Sequence, residues 1–159
     1  MKVKDVMMGT PYFCSGENNL GVAAELMWKG NCGFLPVVDE AGTVCGVVTD
    51  RDICIALCTQ NARASELKVR DVTHCNLHFC HAEDDIHVAL RSMREGHVRR
   101  LPVLDRERKL TGVISMDDVL THAEPTRLGK YQELSAEETV RTYRKILRKD
   151  LPAVKRAAA

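Results

Sequence analysis

The sequence has no long apolar run. No segment approaches the roughly 18 apolar residues that a membrane-spanning helix needs. The first ten residues, MKVKDVMMGT, also lack the continuous apolar stretch of a secretory signal. We therefore expect a cytoplasmic protein that makes no contact with a membrane.

The sequence also lacks paired cysteines. It has seven cysteines, an odd number, and none of them form a C-x-x-C pair. Such scattered cysteines are typical of reduced thiols and argue against a disulfide framework. We expect most of them to be small buried side chains.

Catalytic signatures are missing as well. The chain has no glycine-rich phosphate loop of the P-loop type, no H-E-x-x-H and no recognisable Ser/His/Asp order. We therefore predict that the protein is not an enzyme and that it requires no cofactor for catalysis.

What the sequence does contain is an internal repeat. A shift of 66 residues aligns residues 2–53 with residues 68–119 without a gap. The repeated segments include GVVTDRDI, which starts at Gly46, and GVISMDDV, which starts at Gly112. Agreement over this length indicates two copies of one structural unit.

Each copy has the pattern of a β-α-β-β-α unit. Apolar residues recur at helical spacing from Leu20 and again from Ile86, and two short apolar runs follow each helix. Both helices are predicted to end at a glycine, Gly30 or Gly96, in a left-handed cap. We expect an α/β fold in which the two units pack as a pseudo-two-fold pair, with grooves where they meet.

The repeat also defines the domain boundaries. We predict a first unit over residues 1–59, a linker over 60–67 and a second unit over 68–125. A tail over 126–159 follows, with nine Lys/Arg against four Asp/Glu.

A hydroxyl residue followed by an acid occurs once in each unit. Thr49 precedes Asp52 by three positions, as Ser115 precedes Asp118. The spacing is that of a capping box at the start of a helix. A carboxylate held beside a groove could instead accept hydrogen bonds from both hydroxyls of a ribose, and the two roles are compatible.

The duplicated motifs K-V-[KR]-D-V, G-x5-P-V-x-D and G-V-[VI]-[TS]-x-x-D resemble the tandem CBS domain, or Bateman module, over about residues 2–122. The chain is similar to stand-alone bacterial members, including hypoxia- or stress-induced ones. The resemblance implies a disc-like pair of units that often dimerises. It also implies a groove that binds AMP, ATP, NADH or S-adenosylmethionine, with AMP or ATP favoured here.

The resemblance assigns site residues by motif position. It places Asp52 and Asp118 at ribose, with Thr49 and Ser115 beside ribose or phosphate. It also places Arg99 and Arg100 at the phosphates, where guanidinium groups fit well.

Two features of these positions bear on the ligand. The counterparts of the two arginines in the first unit are Gly33 and Phe34, so the two grooves cannot be equivalent. Surface ion pairs of the arginines with Asp105 or Glu107 remain an alternative. Met8 and His74 replace a threonine common near the base in the family, which leaves the base preference open.

Five potential metal ligands lie in residues 74–81, HCNLHFCH. His78 and Cys80 are two positions apart and would share a face of a strand. The spacing matches no standard zinc module, so we predict core cysteines with exposed histidines and no metal site. Cys54 and Cys58, four residues apart on a helix, are likewise expected to pack in the interior.

The tail contains an amphipathic segment. A capping pattern at Ser135 predicts a helix over about 136–149. Its apolar stripe is Val140, Tyr143, Ile146 and Leu147. We favour packing of this stripe on the module or on a dimer mate over contact with nucleic acid, because no aromatic platform accompanies the basic residues.

The leading hypothesis is a regulatory protein that binds an adenosine nucleotide, forms a homodimer through its paired units and acts on an unknown partner. Two alternatives remain. One is a metal or redox sensor built on residues 74–81, and the other is a nucleic-acid-binding accessory protein that uses the basic tail.

Overall fold

The computed structural model describes residues 1–125 and 134–147. The first unit contains β1 (Cys14–Ser15), α1 (Leu20–Lys29), β2 (Phe34–Val38), β3 (Val44–Thr49) and α2 (Asp50–Gln60). The second contains β4 (Cys80–His81), α3 (Ile86–Gly96), β5 (Arg100–Leu104), β6 (Leu110–Ser115) and α4 (Met116–His122). The α/β class and the β-α-β-β-α pattern of each unit are thereby confirmed.

Each unit folds around a three-stranded sheet. The first strand pairs in parallel with the second, and the second pairs antiparallel with the third. The hairpin between β2 and β3 turns at Gly42, whose φ of 76° suits glycine. Its equivalent between β5 and β6 turns at Arg108, with φ of 63°.

The segment before the first strand of each unit crosses to the other unit. The backbone N–H of Val3 donates to the carbonyl of Asp84, and that of Val69 donates to the carbonyl of Asn18, each at 2.9 Å. Val3 and Val69 are fully buried in the core of the opposite unit. Neither core is complete without the other unit.

Charged side chains repeat this exchange at the surface. Lys2 and Lys4 contact Glu83 of the second unit, and Lys68 and Arg70 contact Glu17 of the first. All six side chains are about half exposed or more, so these ion pairs fix the relative position of the units more than they add stability.

A glycine of β3 and one of β6 make the crossing possible. A Cβ at Gly46 would lie 2.7 Å from the carbonyl oxygen of His74, and one at Gly112 would lie 2.8 Å from that of Met8. Any side chain here would collide with the incoming backbone. The repeated glycine is therefore required by the packing of the two units.

The predicted glycine caps are wrong in detail. Gly30 has an ordinary right-handed conformation, and the residues with positive φ are Asn31 and His97, one position later. A Cβ at Gly30 would lie 2.7 Å from the ring of Tyr12, and one at Gly96 would lie 2.6 Å from the ring of His78. These glycines make room for a neighbouring ring.

A fifth helix, α5 (Ala136–Leu147), covers the outer surface of the second unit by packing on α3 and α4. Its last predicted residues, 148–149, lie outside the described part of the chain. The predicted stripe is wrong for Val140 and Leu147, which are 50% and 61% exposed, whereas Thr139 and Thr142 are fully buried.

The threonines can be buried because their hydroxyls are paired. Thr139 Oγ1 donates to the carbonyl of Ser135 at 3.0 Å, and Thr142 Oγ1 accepts from Arg94 at 3.2 Å. A satisfied hydroxyl costs little to bury. The helix therefore packs with its threonines inwards and leaves Val140 and Leu147 at the surface.

The prediction that most cysteines are buried is also wrong. Cys14 and Cys80 are buried and Cys32 is half-buried, whereas the other four are exposed: Cys45, Cys54, Cys58 and Cys75. Cys54 and Cys58 lie on the outer side of α2 in the first unit, where no described element covers them as α5 covers the second unit.

Candidate functional site

The two predicted helix caps are present and nearly identical. Thr49 is the N-cap of α2, and its backbone N–H and hydroxyl donate to Asp52 Oδ2 at 2.9 and 2.6 Å. Ser115 is the N-cap of α4, and its backbone N–H and hydroxyl donate to Asp118 Oδ2 at 2.8 and 2.6 Å. The capping interpretation therefore holds in both units.

A groove of about 680 Å³ lies beside the first of these caps. Its walls bring together Thr49 and Asp52 from the first unit with Arg99 and Arg100 from the second. Four of the six predicted ligand-binding residues are thus collected in one groove. Ser115 and Asp118 are not among its lining residues.

The groove carries mixed charge. Its lining includes three arginines, two aspartates and three histidines: Arg51, Arg99, Arg100, Asp50, Asp52, His74, His78 and His97. Arg51, Asp50 and His97 were not predicted as site residues. They are brought to the groove by the start of α2 and the end of α3, a placement that no local motif indicates.

Asp52 accepts more hydrogen bonds than Asp50, the other acid of the groove. Its side chain is 17% exposed and its Oδ1 lies 2.9 Å from His74 Nε2. Burial alone would raise the pKa of Asp52, but the hydrogen bonds from Thr49 and His74 outweigh burial and hold the pKa below its usual value. The carboxylate is therefore ionised at neutral pH and can only accept hydrogen bonds.

His74 reaches Asp52 through the crossing of the second unit onto the first. Its backbone N–H donates to the carbonyl of Val47 at 3.0 Å, and the N–H of Val47 donates back at 3.2 Å. The sequence marked His74 as a departure from the family but gave no sign of its partner, which is 22 positions away.

Arg99 and Arg100 are not committed to the predicted surface ion pairs. Asp105 Oδ1 instead accepts the backbone N–H groups of Glu107 and Lys109, both at 2.8 Å. Within residues 1–125 and 134–147, neither arginine forms an ion pair with an acid. Both guanidinium groups are thus open to a bound anion.

The structure separates the two candidate metal ligands. Cys80 is buried in the core of the second unit, where burial raises the pKa of its thiol to about 12. His78 packs its ring against Gly96 and lines the groove. Among the residues that the structure describes, no group of three or more His, Cys, Asp or Glu side chains is placed to hold a metal ion.

Comparison with known proteins identifies the repeat. The family model of the CBS domain matches residues 3–58 and again residues 69–124. The chain belongs to the CBS domain family. Its two units are a tandem pair of CBS domains, and the groove lies between them.

Related proteins contain this CBS pair in different settings. The chain is 28% identical over 117 residues to hypoxic response protein 1 of Mycobacterium tuberculosis, covering 73% of this chain and 81% of the relative. It is 30% identical over 114 residues to homoserine O-acetyltransferase of Methanosphaera stadtmanae, but spans 22% of that enzyme and 72% of this chain. The resemblance to the enzyme therefore concerns its CBS region alone.

Solved structures confirm the fold. The CBS domain pair of protein MJ0100, in complex with 5′-methylthioadenosine and S-adenosyl-L-methionine, has a TM-score of 0.68 and 26% identity over 75% of this chain and 92% of that one. CBSX2 in complex with AMP has a TM-score of 0.64 and 24% identity over 76% and 93% of the two chains. Similar CBS pairs thus bind adenosine-containing ligands.

No helix in the described part of the chain is long and apolar enough to cross a membrane.

Proposed function

We propose that this CBS pair is a regulatory, non-catalytic module that binds an adenosine-containing nucleotide in the groove between its two domains. A single observation carries the proposal. The capped acid Asp52 of the first domain lines the same groove as Arg99 and Arg100 of the second domain, which form no ion pair within residues 1–125 and 134–147. An acid for the ribose and cations for the phosphates are thus close enough to contact one ligand.

Asp52 has the properties that a ribose site needs. Its carboxylate is held at the start of α2 by Thr49, and its depressed pKa keeps it a hydrogen-bond acceptor. Two neighbouring hydroxyls of a ribose can donate to the two oxygens of one carboxylate. This geometry favours nucleotides with an intact ribose.

The arginines provide the phosphate side. Arg99 is exposed and Arg100 is half-buried at the start of β5, and Arg51 lies in the same wall. Guanidinium groups bind phosphate oxygens in paired hydrogen bonds. AMP or ATP therefore fits the groove better than an uncharged nucleoside.

We propose a weaker second site at Ser115 and Asp118. The acid there has the same cap, but the first domain places Gly33 and Phe34 where the second places its two arginines. The two equivalent positions therefore carry no cation, so we expect the Asp52 groove to bind nucleotide first.

Binding would act on the contacts between the domains. The walls of the groove come from both domains, and the segment of the second domain that crosses to the first lines it through His74. A ligand that contacts both walls stabilises one relative position of the domains over others. We propose that this shift is the signal read by a partner protein.

Calorimetry tests the proposal on protein that has been unfolded and refolded to remove any bound ligand. The panel is AMP, ADP, ATP, NADH and S-adenosylmethionine, measured with the native sequence and with Asp52→Asn, Asp118→Asn and Arg99→Ala. We expect micromolar binding of AMP or ATP, a loss of about threefold in Asp52→Asn, and a smaller loss in Asp118→Asn.

Arg99→Ala should weaken AMP binding much more than adenosine binding. An unchanged ratio of the two affinities would remove Arg99 from the phosphate site. If none of the five compounds binds, the groove is not an adenosine site and Asp52 serves only as a helix cap.

We also propose that two copies pair through the outer surface of the first domain. Trp28 of α1 is 87% exposed there, beside a cavity of about 640 Å³ between α1 and α2. The equivalent surface of the second domain is covered by α5. Light scattering should find a dimer that dissociates in Trp28→Glu but persists in Val88→Glu, which alters an exposed residue of α3; a monomeric native protein would contradict the pairing.

A further inference from the structure

The Asp52 carboxylate has little hydrogen-bonding capacity left. A carboxylate offers about four lone-pair positions, two on each oxygen. Oδ2 accepts two hydrogen bonds from Thr49, and Oδ1 contacts His74 Nε2 at 2.9 Å. About one position remains, whereas the two hydroxyls of a ribose need two.

The backbone of His74 is fixed by hydrogen bonds, whereas its side chain is largely exposed to solvent. The paired hydrogen bonds with Val47 fix its main chain over β3. Its side chain is 65% exposed, so the imidazole can rotate away from Asp52 into solvent. The contact with Asp52 is therefore one that a ligand can replace without moving the backbone.

The second domain provides an internal comparison. Met8 occupies the position equivalent to His74, and its backbone makes the same pair of hydrogen bonds, with Val113 at 2.9 and 3.0 Å. A thioether has no hydrogen to donate. Within the described residues, Ser115 is the side chain that donates to Asp118, and it uses Oδ2. Among the described residues, Asp118 Oδ1 thus keeps both of its acceptor positions.

We propose that His74 closes the ribose site of the first domain. The imidazole occupies the oxygen of Asp52 that a ribose requires, so the ribose hydroxyls bind only after His74 has moved away. His74 thereby determines how strongly the groove distinguishes a ribose from a sugar without hydroxyls. The inference rests on the proposed function, in which the Asp52 groove binds the nucleotide.

The closed state also explains a need for phosphate. A nucleoside must displace His74 with its hydroxyls alone, whereas a nucleotide adds contacts to Arg99 and Arg100 at the other side of the groove. These contacts offset the loss of the hydrogen bond between His74 and Asp52. The cost of displacing His74 is the same for both ligands, so the arginine contacts alone favour the phosphorylated one and let it bind although the ribose contributes little.

The test compares AMP with 2′,3′-dideoxy-AMP, which has no hydroxyl to place on Asp52. In the native protein the gain from the ribose hydroxyls is largely cancelled by the displacement of His74, so we expect the two dissociation constants to differ by about threefold or less. In His74→Ala the hydroxyls find a free acceptor. The preference for AMP should rise to about tenfold or more, and AMP itself should bind more tightly.

Two further variants separate a hydrogen-bonding role from a structural one. His74→Gln keeps an N–H donor of similar reach, so it should restore the weak preference of the native protein. Met8→Ala alters the same position of the other domain and should leave both dissociation constants of the Asp52 groove, the tighter of the two sites, unchanged. Thermal unfolding of each variant shows whether its fold is retained.

The results test the nucleotide site and the closing role of His74 separately. If AMP binds and Asp52→Asn weakens it, but His74→Ala leaves the preference for AMP unchanged or lowers it, the closing role of His74 is wrong while the nucleotide site stands. If AMP binds neither the native protein nor His74→Ala, both proposals are wrong. Binding that appears only in His74→Ala, with a preference for AMP, would support both.

Discussion

The two CBS domains share a backbone plan, yet their outer surfaces and their capped acids meet different surroundings. In the second domain α5 covers α3 and α4, and Leu90 and Met93 are fully buried. In the first domain no described helix takes that place, and Trp28 is 87% exposed. The two domains share their elements, whereas the helix that follows the second domain covers the outer surface of that domain alone among the described residues.

The surroundings of the two capped acids also differ. Asp52 and Asp118 accept nearly identical hydrogen bonds from their caps, but Asp52 also contacts His74. Asp52 faces the groove that holds Arg99 and Arg100. The cap is thus common to both domains, and the residues brought from the opposite domain give the two acids different surroundings.

The largest expected effect concerns the two outer surfaces, where the residues at one equivalent position are exchanged. Leu90 is fully buried under α5, and its equivalent in the first domain is the exposed Ala24. We expect Leu90→Ala to lower the free energy of unfolding by about 2–5 kcal/mol because it leaves a cavity. Ala24→Leu should change it by about 0.5 kcal/mol or less in the monomer. Urea unfolding measures both, and equal effects would show that the two surfaces are equally covered.

A second test removes the part that the domains share. Thr49→Ala and Ser115→Ala each delete a cap hydroxyl, and each should lower the free energy of unfolding by about 0.5–2 kcal/mol. The two losses should be similar, because the hydroxyl-to-carboxylate distances are both 2.6 Å. A fall in nucleotide affinity in Thr49→Ala alone would show that the two capped acids differ in function. An equal loss of affinity in both variants would show that they do not.

The smallest effect concerns the ion pairs that join the domains. Hydrogen bonds from Lys2 and Lys4 lower the pKa of Glu83 to about 2, from 4.5. A carboxyl whose pKa is lower in the folded state stabilises the fold above its unfolded pKa, and this contribution is lost as the pH falls through the folded value. Between pH 4.5 and 2 the free energy of unfolding should therefore fall slightly less steeply in Glu83→Gln than in the native protein.

Glu17 provides the matched control for that measurement. Its pKa is also lowered, through Lys68 and Arg70, and it joins the domains from the opposite side. Glu17→Gln should reduce the acid dependence in the same direction. An unchanged pH profile in both variants would show that these exposed pairs contribute nothing measurable to stability.

Features set by near neighbours in the chain could be predicted from the sequence. The repeat, the order of strands and helices, and the caps at Thr49 and Ser115 follow from apolar spacing and from contacts over three positions. The resemblance to the CBS family also assigned Asp52, Arg99 and Arg100, and the structure brings these three into one groove.

Features set by distant partners could not be predicted. The apolar stripe of α5 indicated burial of Val140 and Leu147, but the helix turns Thr139 and Thr142 inwards because partners satisfy their hydroxyls. Four cysteines are exposed for a related reason, since the burial of a small side chain depends on what packs over it.

Local sequence patterns are sufficient to predict the duplicated unit and its helix caps, because these depend on periodicity and on hydrogen bonds within one turn. The position of Asp52 in one groove with the two arginines, and the contact of His74 with Asp52 Oδ1, arise from the packing of the two domains. Those contacts exist because the first segment of each domain packs against the other domain, which brings together residues that are distant in the sequence.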